Sequence, residues 1–176
     1  DPERFRCITG CDWGDRAAGV DSVLCAIDAA LEQQLRVKIN CVPCVEMNGE
    51  DIEGIAMLAE DRPVDVRFIE LMPIGCGKEY TGIPSKEILR RLERRFGAAI
   101  AIPEKVNMAT GRLIENFARE TSNPVDNSGR RTDGPAEYYQ FPGFSGRIGF
   151  ISPISHKFCR ECNRVRLTCE GRLKLC

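Results

Sequence analysis

From Asp21 to Leu71 the chain alternates twice between a helical period and a short β-rich run, and this alternation constrains the fold more than any other feature. Val23, Ile27, Leu31 and Leu35 recur at every fourth position, which predicts an amphipathic helix over 21–35 with those residues facing a core. Val37-Lys38-Ile39-Asn40-Cys41-Val42 follows at once and reads as a strand. Glu50 to Glu60 reads as a second helix, Asp61-Arg62-Pro63 ends it, and Val64 to Leu71 reads as a second strand. Helix, strand, helix, strand with short connectors is the pattern of a βα-barrel or a doubly wound sheet, an α/β fold. Lys38, Asn40, Arg67 and Glu70 sit inside or at the ends of the two strands, where a structural residue is usually apolar. In such folds polar residues at the C-terminal ends of strands face the active site, so these four are candidates. The competing reading has them pairing or snorkelling on an outer face.

After Pro73 the character changes. Gly75-Cys76-Gly77 reads as a loop, Ser85 to Phe96 as a basic helix stopped by Gly97, and 123–135 as a long polar loop. Ala136 to Phe141 and Arg147 to Ile151 read as strands joined by the turn Pro142-Gly143-Phe144-Ser145-Gly146. The change of character predicts a boundary near residue 78, with an α/β unit over 1–78 and a smaller α+β module over 79–176. The chain opens on Asp1-Pro2-Glu3-Arg4 without an initiator Met and ends on a cysteine, so both ends read as cut points and a fragment is expected. No apolar run is long enough to span a membrane, and no signal peptide opens the chain, so a cytoplasmic protein without a membrane partner is expected.

Ten cysteines are many for 176 residues. Their spacing is irregular except at the C-terminus and no secretory context supports a disulfide framework, so reduced thiols, some of them metal ligands, are the better reading. Cys159 and Cys162 form a Cys-x-x-Cys pair, with Cys176 further on and Gly171 available to turn the chain back. Three chemistries fit. A structural zinc would need a fourth ligand, either Cys169 or the lone His156. A 4Fe–4S cluster can be held by cysteines alone, and with only three of them one iron stays open. A redox pair is the weakest of the three, because no strand-then-helix context surrounds the motif. Arg164 and Arg166 follow directly; in an extended segment they point to one side and could clamp a phosphate or a polar base edge, or else be simply solvated. With Lys and Arg numbering 25 against 26 Asp and Glu, broad nucleic-acid binding is not expected, and any anion site must be a local cluster.

The stretch Cys159-x-x-Cys162-Asn163-Arg164-Val165-Arg166-Leu167-Thr168-x-x-Gly171-x-Leu173-x-x-Cys176, preceded by Gly149-Phe150-Ile151-Ser152-Pro153-Ile154-Ser155, resembles the C-terminal signature of the GTP 3′,8-cyclase family. These are radical S-adenosylmethionine (SAM) enzymes that begin molybdopterin synthesis. The resemblance continues through Val64-Asp65-Val66-Arg67-Phe68-Ile69-Glu70-Leu71-Met72-Pro73, Val37-Lys38-Ile39-Asn40 and Asp1-Pro2-Glu3-Arg4-Phe5-Arg6. It implies the C-terminal half of an incomplete radical SAM (β/α) barrel, followed by a small α+β module that binds an iron–sulfur cluster. It implies that Cys159, Cys162 and Cys176 hold a second 4Fe–4S cluster whose open iron binds the guanine of GTP, and that Arg164, Val165 and Arg166 line the GTP site. By the same resemblance Lys38 and Arg67 face the GTP cavity, Met72 packs against SAM, and the intact enzyme is a homodimer. A first 4Fe–4S cluster, which cleaves SAM in the family, needs a Cys-x-x-x-Cys-x-x-Cys motif; Cys7 and Cys11 have its opening spacing, but Gly14 stands where the third cysteine belongs. The fragment alone is therefore expected to be inactive. Two rival readings are a zinc-stabilised four-cysteine binding module and a radical SAM enzyme whose extra cluster shuttles electrons. Cys41 and Cys44 form a further Cys-x-x-Cys to which the resemblance assigns no role, and buried thiols of this kind usually pack as small hydrophobes.

Overall fold

The computed structural model describes residues 2–10, 19–102, 136–155 and 166–174. Its centre is one five-stranded mixed sheet built from β1 (Lys38–Cys41), β2 (Asp65–Ile69), β3 (Ile100–Ile102), β4 (Glu137–Gln140) and β5 (Arg147–Ile151). The spatial order is β1-β2-β5-β4-β3. β1, β2 and β5 run parallel, whereas β4 and β3 add antiparallel strands to the far side. The expectation of an α/β fold is met. The sheet takes strands from both sides of residue 78, since β2 pairs directly with β5.

Period-two alternation divides the sheet into two chemically different faces. Ile39, Cys41, Val66, Phe68, Ile148 and Phe150 fall on one face and enter the main core. The helices α2 (Val20–Glu32), α3 (Ile52–Ala56) and α4 (Ser85–Phe96) contribute Ile27, Ile52, Ala56, Ile88 and Leu92 to that same core. Phe68 stacks on Phe150 with ring centroids 5.9 Å apart, and Tyr139 meets Phe150 edge-on at 5.6 Å. Lys38, Asn40, Asp65, Arg67, Arg147 and Gly149 fall on the opposite face.

α4 has the bounds its sequence predicts. Ile88 and Leu92, one turn apart, are buried, and Gly97 at φ 95° stops the helix in a conformation that disfavours a side chain. Arg91 then locks α4 to α3 through a two-pronged contact with Glu53 at 2.9 and 2.7 Å, and a third bond to the Gly49 carbonyl at 2.8 Å.

α2 differs from its predicted form. It ends at Glu32, where Gln33 donates back to Ala29 and Gln34 turns into the left-handed region at φ 58°. Leu35 is thereby carried off the helix and is 60% exposed, and Val23 is 45% exposed. Of the predicted face, Ile27 is buried and Leu31 packs against the core, and Leu24 joins them in place of Val23 and Leu35. The predicted second helix is the short α3 extended by a 3₁₀ turn at Met57–Ala59. Three features have no counterpart among the predicted elements: α1 (Pro2–Thr9), the edge strand β3, and a small hairpin of β6 (Arg166–Leu167) with β7 (Leu173–Lys174). The predicted loop over 123–135 lies outside the described residues. Among the described residues no helix is long and apolar enough to cross a membrane.

Candidate functional site

The polar sheet face is organised in two rows. In the lower row Lys38, Asp65 and Arg147 sit opposite one another on β1, β2 and β5. Asp65 accepts from Arg147 Nε and Nη2, both at 2.8 Å, and from Arg36 Nη2 at 2.9 Å. Both Asp65 and Arg147 are buried, and the Arg147 guanidinium lies 4.4 Å from the centre of the Tyr138 ring. The Asp65–Arg147 pair ties the N-terminal ends of β2 and β5 together and is a structural element.

The upper row, one pleat closer to the C-terminal ends of the parallel strands, holds Asn40, Arg67, Gly149 and Tyr138. Arg67 Nε donates to Asn40 Oδ1 at 2.8 Å. Lys38 and Arg67, two of the residues nominated for GTP, thus share one face of adjacent strands, each half-buried. Arg67 lies mid-strand and Lys38 one pleat below it at the start of β1, and two basic groups side by side on the polar face of a parallel sheet can hold a phosphorylated ligand. Met72, nominated for SAM, follows β2 beyond its C-terminal end and is 44% exposed. Arg166 lies in β6, paired with Lys174. Arg164, Val165, Cys159, Cys162 and Cys176 lie outside the described residues, as does His156. Among the described residues no three of His, Cys, Asp and Glu gather to hold a metal ion.

At the end of β2 the buried Glu70 carboxylate collects the chain that leads towards the C-terminal cysteines. It accepts from Ser155 Oγ at 2.6 Å, Ser155 N at 3.0 Å and Ile154 N at 3.2 Å. Ser85 at the start of α4 contacts it at 3.5 Å and is hydrogen-bonded to Ser152 at 2.8 Å. Burial alone pushes the Glu70 carboxyl up, but the hydrogen bonds from Ser155, Ile154 and Ser85 outweigh it and hold the group below its ordinary value. A carboxylate so depressed stabilises the fold fully above the ordinary Glu value of about 4.3, and its contribution is lost as pH falls through the lower native value. Glu70→Gln can keep one oxygen on the Ile154 and Ser155 N–H groups, which share Oε2, but it puts an amide NH2 where Oε1 accepts from the Ser155 hydroxyl and removes the charge that strengthens all of these bonds. We expect it to cost about 1–3 kcal/mol at pH 7 and to flatten the stability profile below pH 5, as read by urea melts at a series of pH values.

Cys41 and Cys44 are both buried at the end of β1. Asn48 staples their turn, accepting from Cys44 N at 2.8 Å and donating to the Val42 carbonyl at 3.0 Å. Burial, with smaller contributions from Cys44 and Asp51, pushes the Cys41 thiol up to about 11. It therefore sits in the core as a protonated, small apolar side chain. Cys169 is exposed between β6 and β7, its thiol donating to Glu170 at 2.8 Å.

Sequence reasoning singled out Glu70 without its partners and did not single out Asp65, Arg147 or Tyr138 at all. The available signal was a charge placed between apolar neighbours, as in Val64-Asp65-Val66.

The family model for Molybdenum Cofactor Synthesis C matches residues 101–176. A GTP 3′,8-cyclase of Clostridium perfringens strain 13 is 37% identical over 174 residues, covering 99% of this chain and 44% of the relative. The protein of that name from Rhizobium meliloti strain 1021 is 37% identical over 179 residues, covering 100% and 42% respectively. The one from Heliobacterium modesticaldum is 37% identical over 176 residues, covering 99% and 45%. These matches favour neither the zinc module nor the electron-transfer enzyme. The chain spans less than half the length of the curated relatives it matches. Over its whole length the chain is similar to GTP 3′,8-cyclases, and over residues 101–176 it matches the Molybdenum Cofactor Synthesis C model.

Proposed function

We propose that this chain supplies the GTP-binding part of a cytoplasmic GTP 3′,8-cyclase. The intact enzyme would convert GTP to (8S)-3′,8-cyclo-7,8-dihydroguanosine 5′-triphosphate by radical SAM chemistry, the first step of molybdopterin biosynthesis. The observation that carries the reading is the placement of Lys38 and Arg67 on one polar face of two adjacent parallel strands, in a chain alike to these enzymes over its whole length. On this reading 1–78 is the second half of a radical SAM barrel, 79–176 is the module for cluster and nucleotide, and β2 pairing with β5 joins the two.

Cys159, Cys162 and Cys176 are three thiolates, a donor set suited to a 4Fe–4S cluster with one iron left open. A cluster held there would supply a Lewis-acidic anchor for the guanine base. The chain's own residues do the rest of the positioning. Lys38 and Arg67 would take negative charge on the nucleotide, Arg164, Val165 and Arg166 would line the GTP site with the arginines as charge-bearing contacts, and Met72 would contact SAM. Their combined effect is to hold the ribose and the base in a reactive arrangement, which contributes rate through orientation. SAM and a first cluster would generate the radical, and the Cys-x-x-x-Cys-x-x-Cys motif that would hold that cluster is missing from this sequence, so the chain alone should not turn over GTP. We assign the intact enzyme as a homodimer.

The test is binding by the chain reconstituted with iron and sulfide. Cys159→Ser, Cys162→Ser and Cys176→Ser should each lower bound iron, and Arg164→Ala should weaken GTP binding by about tenfold or more while leaving iron content unchanged. GTP binding that is indifferent to Arg164 and to all three cysteines would refute the assignment.

A further inference from the structure

We propose that Asn40 and Gly149 are positioning residues that present Arg67 to the phosphates of the nucleotide, an inference that rests on the GTP reading above. Asn40, Arg67 and Gly149 occupy one register row across β1, β2 and β5, and Tyr138 extends the row on β4. Two independent features of that row act on the same side chain.

The first is the amide. Asn40 Oδ1 takes the proton of Arg67 Nε at 2.8 Å. Among the described residues Arg67 makes no other hydrogen bond or ion pair, so its Nη1–Nη2 end remains open for a ligand. With Nε engaged, the guanidinium offers that end as a two-pronged fork, the shape that matches two oxygens of a phosphate. A neutral amide sets the plane of the guanidinium without neutralising its charge. A carboxylate in its place would hold the same Nε and compete with the phosphate for the cation.

The second is the missing side chain. A Cβ at Gly149 would lie 3.1 Å from Arg67 Cγ and 2.9 Å from Tyr138 Cε1. The glycine therefore lets the aliphatic stem of Arg67 lie close to the sheet, within reach of Asn40. Together the two residues order Arg67 before the ligand arrives, which lowers the entropy lost on binding.

The experiment is calorimetric titration of the reconstituted chain with GTP and, separately, with guanosine, which lacks the phosphates. Asn40→Ala should weaken GTP binding by roughly three- to tenfold and leave guanosine binding within about twofold. Asn40→Asp should weaken GTP binding further than Asn40→Ala, again sparing guanosine. Gly149→Ala should act in the same direction, and if it fails to fold the Asn40 pair decides the matter alone. Unchanged GTP affinity in Asn40→Ala, or an equal loss for GTP and guanosine, would overturn the inference; the second outcome would mean a merely structural role. Arg67→Ala separates this inference from its foundation. If that variant loses GTP while Asn40→Ala does not, only the positioning role fails. If GTP binds and Arg67→Ala loses nothing, the assignment of Arg67 to the nucleotide fails and the positioning role with it.

Discussion

Asp65→Ala is expected to destabilise the fold by about 3–5 kcal/mol, a large share of the stability of a domain of this size. The reason lies in what is left behind. Asp65 accepts three guanidinium hydrogen bonds, two from Arg147 at 2.8 Å and one from Arg36 at 2.9 Å. Its own side chain is 8% exposed and that of Arg147 10%. Removing the carboxylate takes two short charge-assisted hydrogen bonds from the buried Arg147 guanidinium, a loss that the Tyr138 ring 4.4 Å away offsets only in part. Arg36 is exposed as a residue, with 28% of its side chain open to solvent, so Arg36→Ala should cost no more than about 1 kcal/mol. Replacing both partners, Asp65→Ala with Arg147→Met, should cost clearly less than the sum of the two single changes. Urea midpoints at constant m-value measure all four variants. A loss below 1 kcal/mol for Asp65→Ala would show that the pair contributes little to the stability of the fold.

Gly146→Ala should be comparably damaging, by about 3 kcal/mol or more, for a wholly different reason. The turn before β5 is pressed against the connector that leads into β2: Ser145 N donates to the Glu60 carbonyl at 2.9 Å, Gly146 N to Ala59 at 2.8 Å, and Arg147 N to Val64 at 3.1 Å. A Cβ at Gly146 would collide with the Val64 carbonyl oxygen and lie 2.7 Å from that of Arg62 and 2.9 Å from Val64 N. Backbone cannot swing aside as a flexible side chain can, so the methyl would part the two segments and break the three bonds between them. Gly54 in α3 is the control, because nothing lies within 4 Å of a Cβ added there. Gly54→Ala should be neutral or stabilise by up to about 1 kcal/mol, through helix propensity. If thermal melts show the two alanines to be equivalent, the close approach at Gly146 is not a constraint.

The elements that could be read locally are those whose local pattern and tertiary fate agree. β5 has the bounds its apolar run predicts, and α4 starts after Pro84 and stops at Gly97 as its residues direct. α2 could be read as a helix but only in part for its face: Ile27 and Leu31 meet the core as predicted, whereas the turn at Gln34 redirects Leu35 and Leu24 takes the place of Val23. β3 is three residues long, two of them exposed, and exists by pairing with β4, so its own sequence carries little signal. The site shows the same division. Lys38, Asn40, Arg67 and Glu70 stand out as polar residues in strands. That Arg67 meets Asn40 depends on the register of β1 with β2, and that Asp65 meets Arg147 depends on a strand that arrives 82 residues later. Neither pairing is written in any local period. The hydrogen bonds that fill Glu70 come from Ile154 and Ser155, equally remote in sequence.

The account turns on the substrate cluster, and anaerobic reconstitution of the chain with iron and sulfide tests it most directly. The expected product is brown, with about four irons per chain by the stoichiometry of one 4Fe–4S cluster, and GTP should shift the resonance of its reduced form through the open iron. A colourless chain that binds one zinc instead, or a cluster whose spectrum ignores saturating GTP, would contradict the assignment.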